Sequence, residues 1–236
     1  RSSAASDVYK RQAYLTGSDD KKGRALEKTP NIMAALSGRV GDRAAAADAY
    51  LDLAVPIKGE HAYIAYFQAF TSTYAPIEYL RKVFTEAIED PDVKVLAIAT
   101  RPDCLDSDVL ELLDELNQIK PVWVELGLQT IHPESARYIR RGYPLEVFDT
   151  AVHELKRRNL TVIVHVILFL PGETHEMMLE TIDYLNHSNI DGIKLQLLHI
   201  WKGTDLSVEY QKSLSDPAYT GPAFHIPDAD EYIRLL

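Results

Sequence analysis

From His61 the chain alternates between short β-branched and aromatic runs and longer stretches of helical apolar spacing, and no other feature limits its fold so tightly. Strands are predicted at Tyr63–Ala69, Val93–Ala99, Val122–Leu126, Thr161–Leu168 and Gly192–Leu198. Helices are predicted at Ala75–Glu89, Ser107–Gln118, Pro133–Arg140, Leu145–Arg158 and Thr174–Ser188. In the second helix Val109, Leu110, Leu112, Leu113 and Leu116 make one apolar face. The fourth follows Pro144, a residue suited to a first turn, and repeats Val147, Phe148, Ala151, Val152 and Leu155 at helical spacing. Strand, helix, strand in this order is the pattern of parallel βαβ units. V-L-A-I-A and V-I-V-H-V-I-L-F-L read as nearly continuous apolar runs, as strands do when helices cover one face and a packed interior the other. The expected fold class is therefore α/β, a (β/α) TIM-like barrel or part of one, in which function gathers at the C-terminal strand ends.

Residues before 61 differ in texture. Arg1–Gln12 is polar and aperiodic and reads as a non-native leader, residues 13–60 stay unassigned and partly helical, and residues 61–236 form the expected barrel. Asp42–Leu53 is Ala-rich and helical in pattern, with Asp42 as its cap. No apolar run approaches the roughly 18 to 20 residues of a membrane span, and no basic head precedes an apolar stretch, so a cytoplasmic location is expected. The net charge of −10 argues against nonspecific coating of nucleic acid. An RNA substrate met through a local basic patch is compatible with that charge, but no motif supports it. The single cysteine, Cys104, excludes an intrachain disulfide and a multi-cysteine metal site. It reads as a half-buried small residue after a strand.

The strand ends are unusually polar: Gln68 to Thr73, Thr100 to Asp103, Glu125 with Gly127 to Thr130, His165, and Lys194 with Gln196 and His199. A polar side chain inside a barrel costs free energy unless it is paired or used. Asp103 in R-P-D suits a turn or cap, P-G-E-T is a turn that starts a helix, and His165 alone suits a hydrogen-bonded core position. Lys194 in an apolar strand needs a carboxylate or a ligand, and Glu125 is the candidate partner.

These segments also carry a resemblance. Y-I-A-Y-F-Q-A-F-T-S-T-Y (63–74), T-R-P-D-C-L (100–105), W-V-E-L-G-L-Q-T-I-H (123–132), I-R-R-G (139–142), H-V-I-L-F-L-P-G-E-T (165–174) and D-G-I-K-L-Q-L-L-H-I-W-K-G-T (191–204) resemble, in order and spacing, a radical S-adenosylmethionine (SAM) protein. The similarity is to an uncharacterised bacterial group in the branch of oxygen-independent coproporphyrinogen dehydrogenase, tRNA methylthiotransferases and the Elongator catalytic subunit. The resemblance implies a six-stranded partial barrel with SAM across the strand tops. It also implies a 4Fe–4S cluster on three cysteines spaced C-x3-C-x2-C or slightly wider, and an electron donor such as flavodoxin or ferredoxin. Reductive cleavage of SAM then yields a 5′-deoxyadenosyl radical, the cofactors supplying the chemistry and the protein the positioning.

Carried over by position, Thr71 and nearby backbone carbonyls meet the methionine amino group, Gln129 the ribose and Arg141 the carboxylate. His165 falls near the ribose, and Arg101 makes a contact near the second strand's end. The sequence also departs from the pattern. No cysteine precedes Tyr63, so no protein ligands for the cluster, and no metal ligands, are assigned. Phe169 stands where relatives carry glycine and would crowd the adenine pocket, and Gln196 stands where the nearest group has histidine. Two explanations fit: an inactive fragment truncated at both ends, or a cluster-less barrel that binds SAM or a nucleoside without catalysis. An unrelated barrel hydrolase using His165, Glu125 and Lys194 is the third reading.

Overall fold

The computed structural model describes residues 53–56, 63–68 and 71–235. Its sheet has six strands in sequential order: β1 (Leu53–Pro56), β2 (Tyr63–Phe67), β3 (Val93–Thr100), β4 (Val122–Gln129), β5 (Thr161–Leu168) and β6 (Gly192–Leu197). β1 runs antiparallel to β2, and β2 to β6 are parallel, each joined to the next by a helical crossover. The crossovers are α1 (Ile77–Glu89), α2 (Ser107–Asn117), the pair α3 (Pro133–Tyr138) and α4 (Leu145–Arg157), and α5 (His175–Asn186). After β6 come α6 (Asp205–Ser215) and α7 (Ala229–Leu235). The five parallel strands curl into a half-barrel with helices on the outside, as the strand–helix alternation predicts. Among the described residues no helix is long and apolar enough to cross a membrane.

Alternation along each strand separates two environments. Ala65 and Phe67, Leu96 and Ile98, Val122, Val124, Leu126 and Leu128, and Val162, Val164, Val166 and Leu168 face the helices and share one core with Leu80, Phe84, Leu113, Phe148 and Leu155. Phe67 and Phe84 meet edge to face with centroids 5.0 Å apart, a geometry that aromatic quadrupoles favour. The remaining parity faces the barrel interior: Ile64 and Tyr66, Ala97 and Ala99, Trp123 and Glu125, His165, and Lys194. Local chemistry starts the helices that frame the rim. The Asp106 carboxylate accepts from the Val109 N–H at the start of α2, and Thr174 and Thr204 do the same for α5 and α6.

The observed elements depart from the predicted ones where local signals mislead. β4 runs to Gln129 rather than Leu126, because Gly127 reads as a strand end yet is needed inside the strand: a Cβ there would lie 3.1 Å from the Gln129 side-chain nitrogen. Leu53, the last residue of the predicted Ala-rich helix, begins β1 instead, and residues 42–52 lie outside those described. Leader residues 1–12 lie outside them too. α6 has no buried residue, so no apolar stripe announces it.

Candidate functional site at the strand ends

The interior face concentrates its charge on one carboxylate oxygen. Oε2 of Glu125 accepts from the Tyr66 hydroxyl at 2.7 Å, meets His165 Nε2 at 2.5 Å and accepts from Lys194 Nζ at 3.2 Å. Lys194 also donates to the Tyr66 hydroxyl at 2.8 Å and lies 4.8 Å from its ring centroid. The Lys194–Glu125 pair is thus the interior ion pair expected of a lysine in an apolar strand. Tyr66 and Glu125 stand two strands apart, with β3 between them. Tyr66 spans β3 because at this level that strand presents the small side chains Ala97 and Ala99 to the interior, Ala97 opposite Tyr66 and Ala99 opposite Glu125. Burial alone would push the Glu125 carboxyl up. The hydrogen bond and charge of His165, the charge of Lys194 and the Tyr66 hydroxyl overcome that and hold it at about 2.

The second group surrounds the ends of β3 and β4. Arg141 is only 7% exposed. Its Nη1 donates to the carbonyls of Leu128 (3.2 Å) and Thr130 (2.6 Å), and its Nε to that of Tyr143 (3.1 Å). Burial pushes this guanidinium down from its ordinary value, with Tyr143 and Glu146 opposing. No carboxylate among the described residues forms an ion pair with it, and Nη2 takes part in none of its hydrogen bonds. Arg101 lies 5.4 Å and Arg141 4.8 Å from the centroid of the Tyr143 ring. Arg101 is otherwise held by Asp103, with Nε–Oδ1 2.9 Å and Nη2–Oδ2 2.7 Å, within the short 3₁₀ turn that the R-P-D pattern suggests. Gly142, at φ +87°, leaves room for the Arg101 guanidinium where a Cβ would lie 3.1 Å away.

Gly127 ties the two groups together. Its carbonyl accepts from the Tyr143 hydroxyl, its Cα faces the Gln129 amide, and it pairs in register with His165. Gln129 ends β4 with φ +71°, the left-handed region that a non-glycine residue enters at a cost. Arg101, Gln129, Arg141 and His165 are therefore neighbours around the upper ends of β3, β4 and β5. Thr71 is less closely joined. It is half-buried and its carbonyl accepts from Tyr74, while Ser72 and Thr73 fasten the same turn to Ala99 and Thr100. Residues 69 and 70 of that turn lie outside those described. No hydrogen bond links Thr71 to the other four among the described residues.

Sequence reasoning missed Tyr66 and Tyr143. Tyr66 could have been found by parity, two residues from Gln68 on the same face, whereas Tyr143 carries no local signal beyond following R-R-G. Phe169 is not in the interior. It takes φ +62° and donates its N–H to Met178 Sδ, and its ring is buried in the helix-side core. That left-handed backbone is one that glycine adopts without strain, and the ring's placement removes the expected crowding of the interior.

The residues present do not fit a 4Fe–4S cluster. Such clusters need several thiolates, and the chain has one cysteine. Cys104 lies half-buried in the 3₁₀ turn, where burial and the adjacent Asp103 push its thiol up, opposed by Arg101. A depression of about 440 Å³ lined by Phe148, Asp149, Val152 and Asn189 opens on the helix side and contains none of the candidate residues.

A family model described as the Radical SAM superfamily matches residues 42–185. The chain is 45% identical over 174 residues to the protein YtqA of Bacillus subtilis (strain 168), covering 74% of this chain and 51% of that one. It is 39% identical over 150 residues to the protein YhcC of Escherichia coli (strain K12), covering 63% and 48%. The chain thus spans about half the length of these curated relatives. The solved structure of archaeal Methanocaldococcus infernus Elp3 with an N-terminal deletion matches with a TM-score of 0.52 at 22% identity, covering 60% of this chain and 38% of that one. That likeness is one of fold. The family match sets aside an unrelated hydrolase, although His165, Glu125 and Lys194 do meet.

Proposed function

Because this chain belongs to the radical SAM superfamily, we propose that the upper ends of β3 to β5 form the SAM-binding wall of a radical SAM enzyme. The carrying observation is Arg141, a buried cation with no carboxylate paired to it among the described residues and with its Nη2 donors unspent. A buried charge is stable only with a counter-ion or full hydrogen bonding, and the α-carboxylate of SAM matches the fork of a guanidinium. In this reading Gln129 meets the ribose and Arg101 supports Arg141 through Tyr143. His165, oriented by Glu125, borders the ribose, and Thr71 with its turn meets the methionine amino group.

In a parent enzyme of this kind Thr71, Gln129, Arg141 and His165 would hold SAM, which would supply the radical chemistry with an electron from a donor of the flavodoxin or ferredoxin class. This chain takes no part in that reduction, because its single thiol does not suffice for the cluster. The single cysteine favours a second reading for the chain by itself, in which the barrel binds SAM or a nucleoside without catalysis.

Calorimetry with SAM and with S-adenosylhomocysteine tests the binding. One site per chain is expected for both ligands, since both carry the carboxylate. Arg141→Gln and Gln129→Ala are each expected to weaken it about tenfold or more, one lost charge-assisted hydrogen bond being worth about 1.5 to 3 kcal/mol. Absence of binding, or full affinity in both variants, refutes the assignment.

A further inference from the structure

Beside the end of β5, three side chains from separate segments converge without a part in the SAM wall. His175 opens α5, His225 lies between α6 and α7, and Glu231 sits in the first turn of α7. His225 Nε2 is 2.7 Å from Glu231 Oε1, and His175 Nε2 is 2.8 Å from the same oxygen. The first contact is a hydrogen bond. The second is as close but lacks a hydrogen bond's alignment, so hydrogen bonding does not account for the second imidazole.

The three ligand atoms lie within 4.8 Å of one another. Metal–ligand bonds of 2.0 to 2.2 Å in a tetrahedron separate donors by about 3.3 Å, so shifts of order 1 Å bring these three onto one ion. The buried Phe169 ring packs against both imidazoles, at 5.8 Å from His175 and 5.6 Å from His225, and limits their rotation. The surrounding backbone is fixed as well. The Gly172 N–H donates to the Ala223 carbonyl at 2.8 Å, Asp228 accepts from the Glu231 N–H, and Thr174 caps α5.

We infer that His175, His225 and Glu231 form a binding site for a first-row divalent ion of the zinc class, which fastens the segment from Pro222 to Glu231 onto the turn at the end of β5. Two imidazoles and one carboxylate suit zinc and its neighbours, whereas magnesium and calcium prefer oxygen ligands alone. Three protein ligands leave a fourth position for water. The site is independent of the SAM wall and shares no residue with it.

The test treats the full chain with chelator, then titrates zinc chloride by calorimetry and records the visible spectrum with cobalt(II). One zinc per chain is expected, with affinity falling at least thirtyfold in His225→Ala and in Glu231→Gln but unchanged in His153→Ala, an exposed histidine elsewhere. Cobalt is expected to give ligand-field bands of nitrogen and oxygen donors without a thiolate charge-transfer band, a reading that needs no variant to fold. The inference is overturned by no stoichiometric zinc, by equal affinity in the folded variants, or by a thiolate band marking Cys104 as the ligand.

Discussion

The side chain that most divides binding from packing is Arg141. Its bonds to the Leu128 and Thr130 carbonyls hold the loop after α3 against the end of β4, so Arg141→Gln affects stability as well as SAM affinity, and Gln129→Ala supplies the variant that spares those bonds. Glu125 makes a pH prediction. Its folded value of about 2 lies below its ordinary 4.5, so its contribution is present above about pH 4.5 and is lost as pH falls toward 2. The shift corresponds to on the order of 3 kcal/mol. Denaturant melts of the wild type and Glu125→Gln are expected to differ by that order at pH 7, with the gap closing as pH drops from 5 to 2. A constant gap across that range removes the assignment. At Phe169, glycine relieves roughly 1 kcal/mol of backbone strain but deletes a buried ring worth about 3 to 5 kcal/mol. Phe169→Gly is therefore expected to destabilise by about 2 to 4 kcal/mol in chemical denaturation, even though glycine suits the backbone.

Among the elements, β3 is the quiet one on which the interior depends. Ala97 and Ala99 add no chemistry, yet their size lets Tyr66 reach Glu125 across the strand. Ala99→Leu is expected to lower stability by about 1 to 3 kcal/mol through overpacking. It should also displace the Tyr66 hydroxyl from Glu125, seen as loss of that hydrogen bond in a crystal structure of the variant. The parallel strands and their helices were legible because each strand is an apolar run and each helix repeats its apolar face, the two strongest local signals. β1 was not, since L-A-V-P is short and ends in proline, and the full reach of β4 was hidden by a glycine that serves close packing. The rim residues were legible by position along the chain. Their partners were not, because Tyr66, Tyr143 and the His175–His225–Glu231 group meet only once the sheet has curled.

On the scale of the whole molecule, the chain is a radical SAM half-barrel that spans about half the length of its curated relatives and holds one cysteine. Anaerobic reconstitution of this chain with iron and sulfide is expected to give no 4Fe–4S absorbance, and a stable chromophore at stoichiometric iron would show that its ligand inventory had been misjudged. We propose that strand ends far apart in sequence grip one adenosylated amino acid. A crystal structure of the chain with S-adenosylhomocysteine tests it most directly. The ligand carboxylate is expected within hydrogen-bond reach of Arg141 Nη2 and the ribose beside Gln129. Ligand density confined to the helix-side depression, with Arg141 Nη2 in dry contact, would contradict it.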